Sequence, residues 1–287
     1  MPIKRALIWV GIWVTVAMGF AAGLWHYKGS VAGGEFLTCY IIEWSLSLDN
    51  LFVFIMIFNA FGVDSHNQLR ALTWGIIGAV VMRLGFILIG VTLVEMFRPI
   101  LYVFGALLLY SAVKMMFQKE RDEDIILLAM EFLEKDIMQR RLIKLIRSKI
   151  SITKDFHGDK FAIKKMGRWI WTPMILVLIA IESSDVMFAI DSIPAAFAIT
   201  QDPFIIFTAN MFAIMGLRAL YFLLVHADKM FEKLKYGIGI ILAFVGVKII
   251  VEQLGVHINI LLSLSIILGC LTISILISLM TMKKGSA

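Results

Sequence analysis

Cysteine is almost absent from this 287-residue chain, which has only Cys39 and Cys270. Both lie in apolar stretches. They form no metal-ligand spacing and imply no disulfide framework, so they read as small buried hydrophobes. Histidine is also scarce. None of the five (His26, His66, His157, His226 and His257) falls near the centre of an apolar run. An activated nucleophile, a nucleotide-binding loop and a metal-hydrolase motif are missing too. The chain is therefore not expected to be an enzyme or to carry a prosthetic group. Charged residues make up only 17% of the chain, and the net charge of +6 reflects where the basic residues sit. It is not a nucleic-acid signal.

What is present is apolar surface. Hydrophobic residues are 60% of the chain and the mean hydropathy is +0.90, far above a soluble domain. The runs are continuously apolar rather than alternating, which excludes a transmembrane barrel. The expected fold is an all-α membrane protein of about eight transmembrane helices, near 6–26, 36–61, 69–93, 98–117, 170–198, 204–226, 234–254 and 258–282. Lys4 and Arg5 precede the first run as they would in a signal peptide. No small-residue cleavage site precedes Trp25, so the run is expected to stay as a helix.

The basic residues then segregate. Twenty-one of the 27 Lys and Arg lie on the side of the N-terminus, thirteen of them between 118 and 169. Only Lys28 and Arg98 lie on the other side, and Arg83, Lys114, Arg218 and Lys248 fall within spans. The positive-inside rule places both termini and the 118–169 loop in the cytoplasm of a cell (inner) membrane protein. In that loop, 123–150 has apolar residues at helical spacing and basic residues in its second half. A helix on the inner membrane surface and a solvated helix fit it equally. Residues 150–166 read as a small hairpin turning at His157, Gly158 and Asp159.

One pattern occurs twice. Residues 43–50 read E-x5-D-N and residues 185–192 read D-x5-D-S. Each is followed by a helix with an arginine, Arg83 or Arg218. The next helix in each half carries a matched glycine and lysine: Gly105 and Lys114 in 102–117, Gly239 and Lys248 in 236–251. Repeat one is thus about 36–117 and repeat two about 170–254, with accessory helices at 6–26 and 258–282. Three spans is an odd number, so the copies must cross the membrane in opposite senses. This inverted 3+3 helix repeat is the architecture of secondary transporters.

Five carboxylates lie within spans: Glu43, Asp49, Glu182, Asp185 and Asp191. An ionised Asp at the centre of a membrane helix costs about 2.5–3.5 kcal/mol on insertion scales. These groups must face the protein interior and be neutralised by protons, bases or a cation. Glu43 and Asn50 share a helix face, as do Asp185 and Ser192, and Glu182 neighbours Asp185. Asp49 and Asp191 lie roughly 120° off in a continuous helix. Unwound stretches are expected near both, helped in the second copy by Pro194. Carboxylate, amide and hydroxyl oxygens suit Mn²⁺, Ca²⁺ or Mg²⁺ rather than zinc or copper. Met187 or Met56 would add a softer contact favouring Mn²⁺. Arg83 and Arg218 are expected to pair with carboxylates or cap freed carbonyls. Lys114 and Lys248 lie near span ends and are expected to snorkel. Once the metal leaves, crowded carboxylates would take up protons, which makes protons the expected coupling ion.

The segments "IEWSLSLDNLFVF" (42–54), "IESSDVMFAIDSIPAAFAIT" (181–200), "DPFIIFTANMFAIMGLRALYFLL" (202–224) and "LKYGIGIILAFVGVKII" (234–250) resemble the TerC family of membrane proteins over nearly the whole chain. That family is named for tellurium resistance and is tied to manganese export and metal homeostasis. The resemblance implies Mn²⁺ efflux, with Glu43, Asp49, Asn50, Glu182, Asp185 and Asp191 as the acidic-motif positions. Many members carry one further N-terminal helix, which is not expected here. A tellurite anion fits an acidic pocket poorly. The other function open at this stage is a membrane scaffold or metal-delivery protein that binds metal and supports metalation or assembly of exported or membrane proteins. The expected partners are a divalent metal ion and the lipid bilayer, not nucleic acid.

Overall fold

The structure is a computed structural model. It describes residues 3–117, 153, 156–165, 168–225 and 234–285, without the side chains of residues 48 and 49 and of several others near the segment ends. Among these residues are eight helices: α1 (Ile3–Lys28), α2 (Ser30–Ala60), α3 (Ser65–Met96), α4 (Ile100–Phe117), α5 (Pro173–Phe197), α6 (Pro203–Leu224), α7 (Leu234–Gln253) and α8 (Ile260–Gly285). Two short strands, β1 (Ala162–Lys165) and β2 (Arg168–Trp171), precede α5. All eight helices are long and apolar enough to cross a membrane, so this is a multi-pass membrane protein. The helix proposed over 123–150 lies outside the described residues.

The chain's few helix breakers explain where the helices end. Three of the five prolines stand at helix starts: Pro99 just before α4, Pro173 at the head of α5 and Pro203 at the head of α6. There the missing N–H costs nothing. Asp202 caps α6, its Oδ1 accepting from the backbone N–H of Phe204 at 2.9 Å and Ile205 at 3.4 Å. Asp64 does the same for α3, accepting from His66 at 3.0 Å and Asn67 at 2.8 Å. Gly29 alone joins α1 to α2, with φ of 96°. Only glycine adopts that angle readily.

Two expectations of local structure need correction. The unwound stretches near Asp49 and Asp191 are absent, since α2 and α5 run helical through both positions. Pro194 sits in the last turn of α5. Its missing donor therefore falls where the helix is ending, and the main chain closes with bonds from Ala198 N to Pro194 O (3.1 Å) and from Thr200 N to Ala196 O (3.1 Å). The hairpin is also displaced. Gly158, at φ 59°, and Asp159 do form a turn, but β1 and β2 pair further on, with Ala162 opposite Trp171 and Lys165 opposite Arg168. Ile170 and Trp171, counted above as the start of span 5, are strand.

The chain clusters into two compact units. One comprises Met1–Leu51, Val80–Gln118 and Val186–Ala287, the other Phe52–Ala79 and Lys119–Asp185. In the first, α1 docks on α2 and α6 through aromatic rings. Phe20 lies 5.0 Å from Phe36 and 5.0 Å from Phe212, centroid to centroid. Helices α4 and α7 pack extensively on each other, and small residues bring the two backbones together. A methyl group on Gly105 would lie 2.5 Å from Ile250 and 3.0 Å from the carbonyl oxygen of Gly246. One on Gly239 would lie 2.5 Å from Met116 and 3.4 Å from the carbonyl oxygen of Ala112. Rising numbers on α4 meet falling numbers on α7, so the helices are antiparallel. Gly105 and Gly239, Ala112 and Gly246, and Met116 and Ile250 are each 134 residues apart. Exchanging the helices thus carries one contact set onto the other.

In the second unit the strands are mounted on the start of α3. Arg70 pairs with Asp159 and its guanidinium lies 5.7 Å from the Phe161 ring. Trp74, one turn on, meets the same ring edge-on at 6.1 Å. Main-chain bonds of 2.9 Å from Thr153 N to Trp171 O and from Thr172 N to Phe161 O fasten the C-terminal end of β2.

Candidate intramembrane ion site

The buried face of α2 carries polar groups at helical spacing. Glu43, Ser47 and Asn50 follow one another at i, i+4 and i+7 and are each 1% exposed. A carboxylate this deep among apolar spans requires a counter-charge, which α3 provides. Arg83 Nη1 donates to Glu43 Oε2 at 2.8 Å and to Asn210 Oδ1 on α6 at 3.2 Å. The Arg83 side chain is 1% exposed and that of Glu43 2%. One guanidinium thus ties α2, α3 and α6 together inside the first unit. Arginine suits the task because its charge persists and its donors fork towards two acceptors.

Several buried polar atoms near these positions in the chain have no hydrogen-bond partner among the described residues. They are Ser47 Oγ, Asn50 Oδ1, Ser192 Oγ and Asn210 Nδ2. Three of the four are oxygens, on α2 and α5. Leaving such an atom unsatisfied costs about 1–3 kcal/mol, so a fold that retains several of them has a use for them. Ser45 and Ser184 differ, bonding back to Ile41 O and Ile181 O at 2.7 Å each.

The second acidic motif is arranged differently. Asp185 and Ser192 are buried at 3% and 2% exposure, as Glu43 and Asn50 are in the first. Asp191 is half-buried and accepts from Ser111 Oγ on α4 at 2.7 Å. This is the sideways displacement that an unbroken helix imposes, because Asp191 lies off the Asp185–Ser192 face. The Asp49 side chain lies outside the described residues. In the second unit, Glu182 lies against Gly78 of α3, where a methyl group would collide with the carboxylate. Such a methyl would displace the carboxylate end of that side chain, and Glu182 Oε2 is buried with no partner among the described residues. Among the described residues, no three His, Cys, Asp or Glu side chains are grouped so as to hold a metal ion. The expected gathering of carboxylates is not seen among them: Glu43 faces Arg83, and Asp191 faces Ser111.

Three further residues depart from expectation. Arg218 is exposed and makes no hydrogen bond or ion pair with any described residue, so it is no counterpart of Arg83. Met187 is 63% exposed and turns outward, while Met56 is half-buried. Lys248, expected to snorkel, is instead 3% exposed. It donates to the carbonyl of Ala198, just past α5, and pairs with Glu252 at 2.9 Å. Lys114 is exposed, as expected. Nearby in the chain, Thr200 donates to Glu35 at 2.9 Å and Lys28 pairs with Asp202 at 3.3 Å, so the ends of α1, α5 and α7 and the starts of α2 and α6 are joined by polar contacts. Asn210, Ser111, Lys248 and Gly78 were missed in the sequence. An isolated Asn, Ser or Gly in an apolar helix carries no pattern, and only Lys248 stood out, as a charge in a span.

A family model described as the integral membrane protein TerC family matches residues 29–286. A Salmonella typhi protein named "Putative membrane-bound redox modulator Alx" is 41% identical over 97% of this chain and 85% of its own length. A Myxococcus xanthus protein named "Uncharacterized membrane protein STKORF319" is 40% identical over 98% of this chain and 84% of its own. The "Thylakoid membrane protein TERC, chloroplastic" of Arabidopsis thaliana is 37% identical over 99% of this chain and 71% of its own. No solved structure matches.

Proposed function

This chain belongs to the TerC family of integral membrane proteins, and from that premise we propose that it is a secondary transporter exporting divalent metal ions, Mn²⁺ above all, in exchange for protons. The observation that carries the proposal is Glu43, a carboxylate buried among apolar helices and held by Arg83, which Asn210 also engages, with oxygens of Ser47 and Asn50 along the same helix face that have no partner among the described residues. A structural ion pair alone gives no reason for those oxygens. Carboxylate, amide and hydroxyl oxygens are the donors that hard divalent cations prefer. Glu43, Asp49, Asn50, Asp191 and Ser192 are the residues assigned to the cation. In the metal-free protein Arg83 supplies the positive charge that the cation supplies when bound. The exchangeable contacts between α4 and α7 also support the reading, since two oppositely threaded copies are the usual frame of alternating access. The distribution of Lys and Arg supports an inner-membrane location with both termini in the cytoplasm.

The name of the Alx relatives points to redox modulation. Here both cysteines are free thiols, Cys39 buried in α2 and Cys270 half-buried in α8, and they offer no paired-thiol chemistry. The direct test is Mn²⁺ flux in proteoliposomes at several proton gradients. Flux that follows the gradient is expected. Metal binding without flux would replace the transporter with a scaffold or metal-delivery protein, and flux indifferent to the gradient would remove the proton exchange.

A further inference from the structure

The two strands before α5 have no part in the ion site, yet their outer face has a definite composition. Side chains alternate across a strand, so Trp169 and Trp171 share one face of β2. The register puts Lys164 opposite Trp169 and Ala162 opposite Trp171 on that face. Trp169 is 69% exposed, Trp171 is 37% exposed, and Lys164 is exposed. Ile163 and Ile170, on the other face, are half-buried. Two large aromatics beside a cation are thus displayed outward, on a strand pair fastened by its main-chain bonds and by the Arg70–Asp159 pair.

The position of this face relative to the bilayer follows from lengths. Trp171 is two residues before Pro173, where the membrane-spanning α5 begins. Two extended residues span about 7 Å, and the headgroup layer is about 5–8 Å thick on each side. The mount agrees. α3 has 32 residues, about 48 Å of helix against a hydrocarbon core of about 30 Å. That leaves about 18 Å of helix beyond the core, room for its first turns, which carry Arg70, to stand in the headgroup layer. Indole rings favour that layer, and a lysine there attracts anionic lipid. Trp74, 48% exposed, extends the same aromatic zone on α3.

We propose that the Trp169, Trp171 and Lys164 face is a lipid-docking surface that binds the anionic phospholipid headgroups of the leaflet at which α5 begins, and so fixes the depth and angle of that helix. The full-length protein, labelled with fluorotryptophan, would be placed in nanodiscs of phosphatidylcholine with or without phosphatidylglycerol. Trp169→Phe and Trp171→Phe assign the two fluorine signals, and Trp169→Tyr and Trp171→Tyr serve if a Phe variant does not fold. Both signals should be broadened by a headgroup-spin-labelled lipid more than by a soluble gadolinium chelate. Both should shift when phosphatidylglycerol is added, and Lys164→Gln should cut that shift about twofold or more. Broadening by the soluble chelate alone would overturn the proposal and leave a face open to a soluble partner. Equal signals in both lipid mixtures would overturn the role of the anionic headgroup.

Discussion

Helices α2–α4 and α5–α7 each carry mid-span acids, then a mid-span arginine, then a lysine, yet bury opposite members of the set. In the first three of these helices the arginine is inside and the lysine outside: Arg83 is buried against Glu43 and Asn210, and Lys114 is exposed. In the second three the arrangement is reversed, with Arg218 exposed and Lys248 buried against Ala198 O and Glu252. The backbone contacts between α4 and α7 remain interchangeable all the same. Packing and charge are thus separable. Small residues at the helix pair keep a common frame, while each half directs its buried cation to a different task. Arg83 neutralises a deep carboxylate, and Lys248 closes the carbonyl end of the helix that carries Asp191.

The largest test of this contrast is to remove each arginine. Arg83→Met strands Glu43 as a buried unpaired charge and should cost about 3–5 kcal/mol of stability, measured by denaturant unfolding in detergent. Arg218→Met removes a span charge that has no partner among the described residues and should cause no loss of stability. Equal losses would mean that the copies are not divided in this way. The lysines should give a smaller difference of the opposite sense. Lys248→Met frees a carbonyl and Glu252 and should cost about 1–3 kcal/mol, whereas Lys114→Met should be near neutral in the same assay. Smaller still is the difference between the glycines. Gly105→Ala meets the Gly246 carbonyl, which is backbone, and should lose about 1–3 kcal/mol. Gly239→Ala meets mainly the flexible Met116 and should lose less. Thermal scans of both variants would rank them.

What could be read from sequence follows the same division. All eight spans were legible because hydropathy reports which residues leave water, and their boundaries moved by only a few residues. The cut before α5 failed because Ile170 and Trp171 are as apolar as the helix they precede, though they belong to a strand. The acidic motifs were legible because a charge within a span is expensive. Their geometry was not. Helices that are apolar on all sides give no signal of which face turns inward, so Arg218 and Lys248 could not be told apart from Arg83 and Lys114. Asn210, Ser111 and Gly78 make their contacts through the fold alone. The expected helix breaks assumed that carboxylates off the shared face must be brought onto it. The structure instead gives Asp191 a separate partner in Ser111.

Mn²⁺ flux into proteoliposomes carrying Asp49→Asn, Asp191→Asn or Arg218→Met tests most directly whether deep carboxylates of the two copies carry the ion. The account predicts flux at background for both aspartate variants and near the wild-type rate for Arg218→Met. Wild-type flux in both aspartate variants would contradict it.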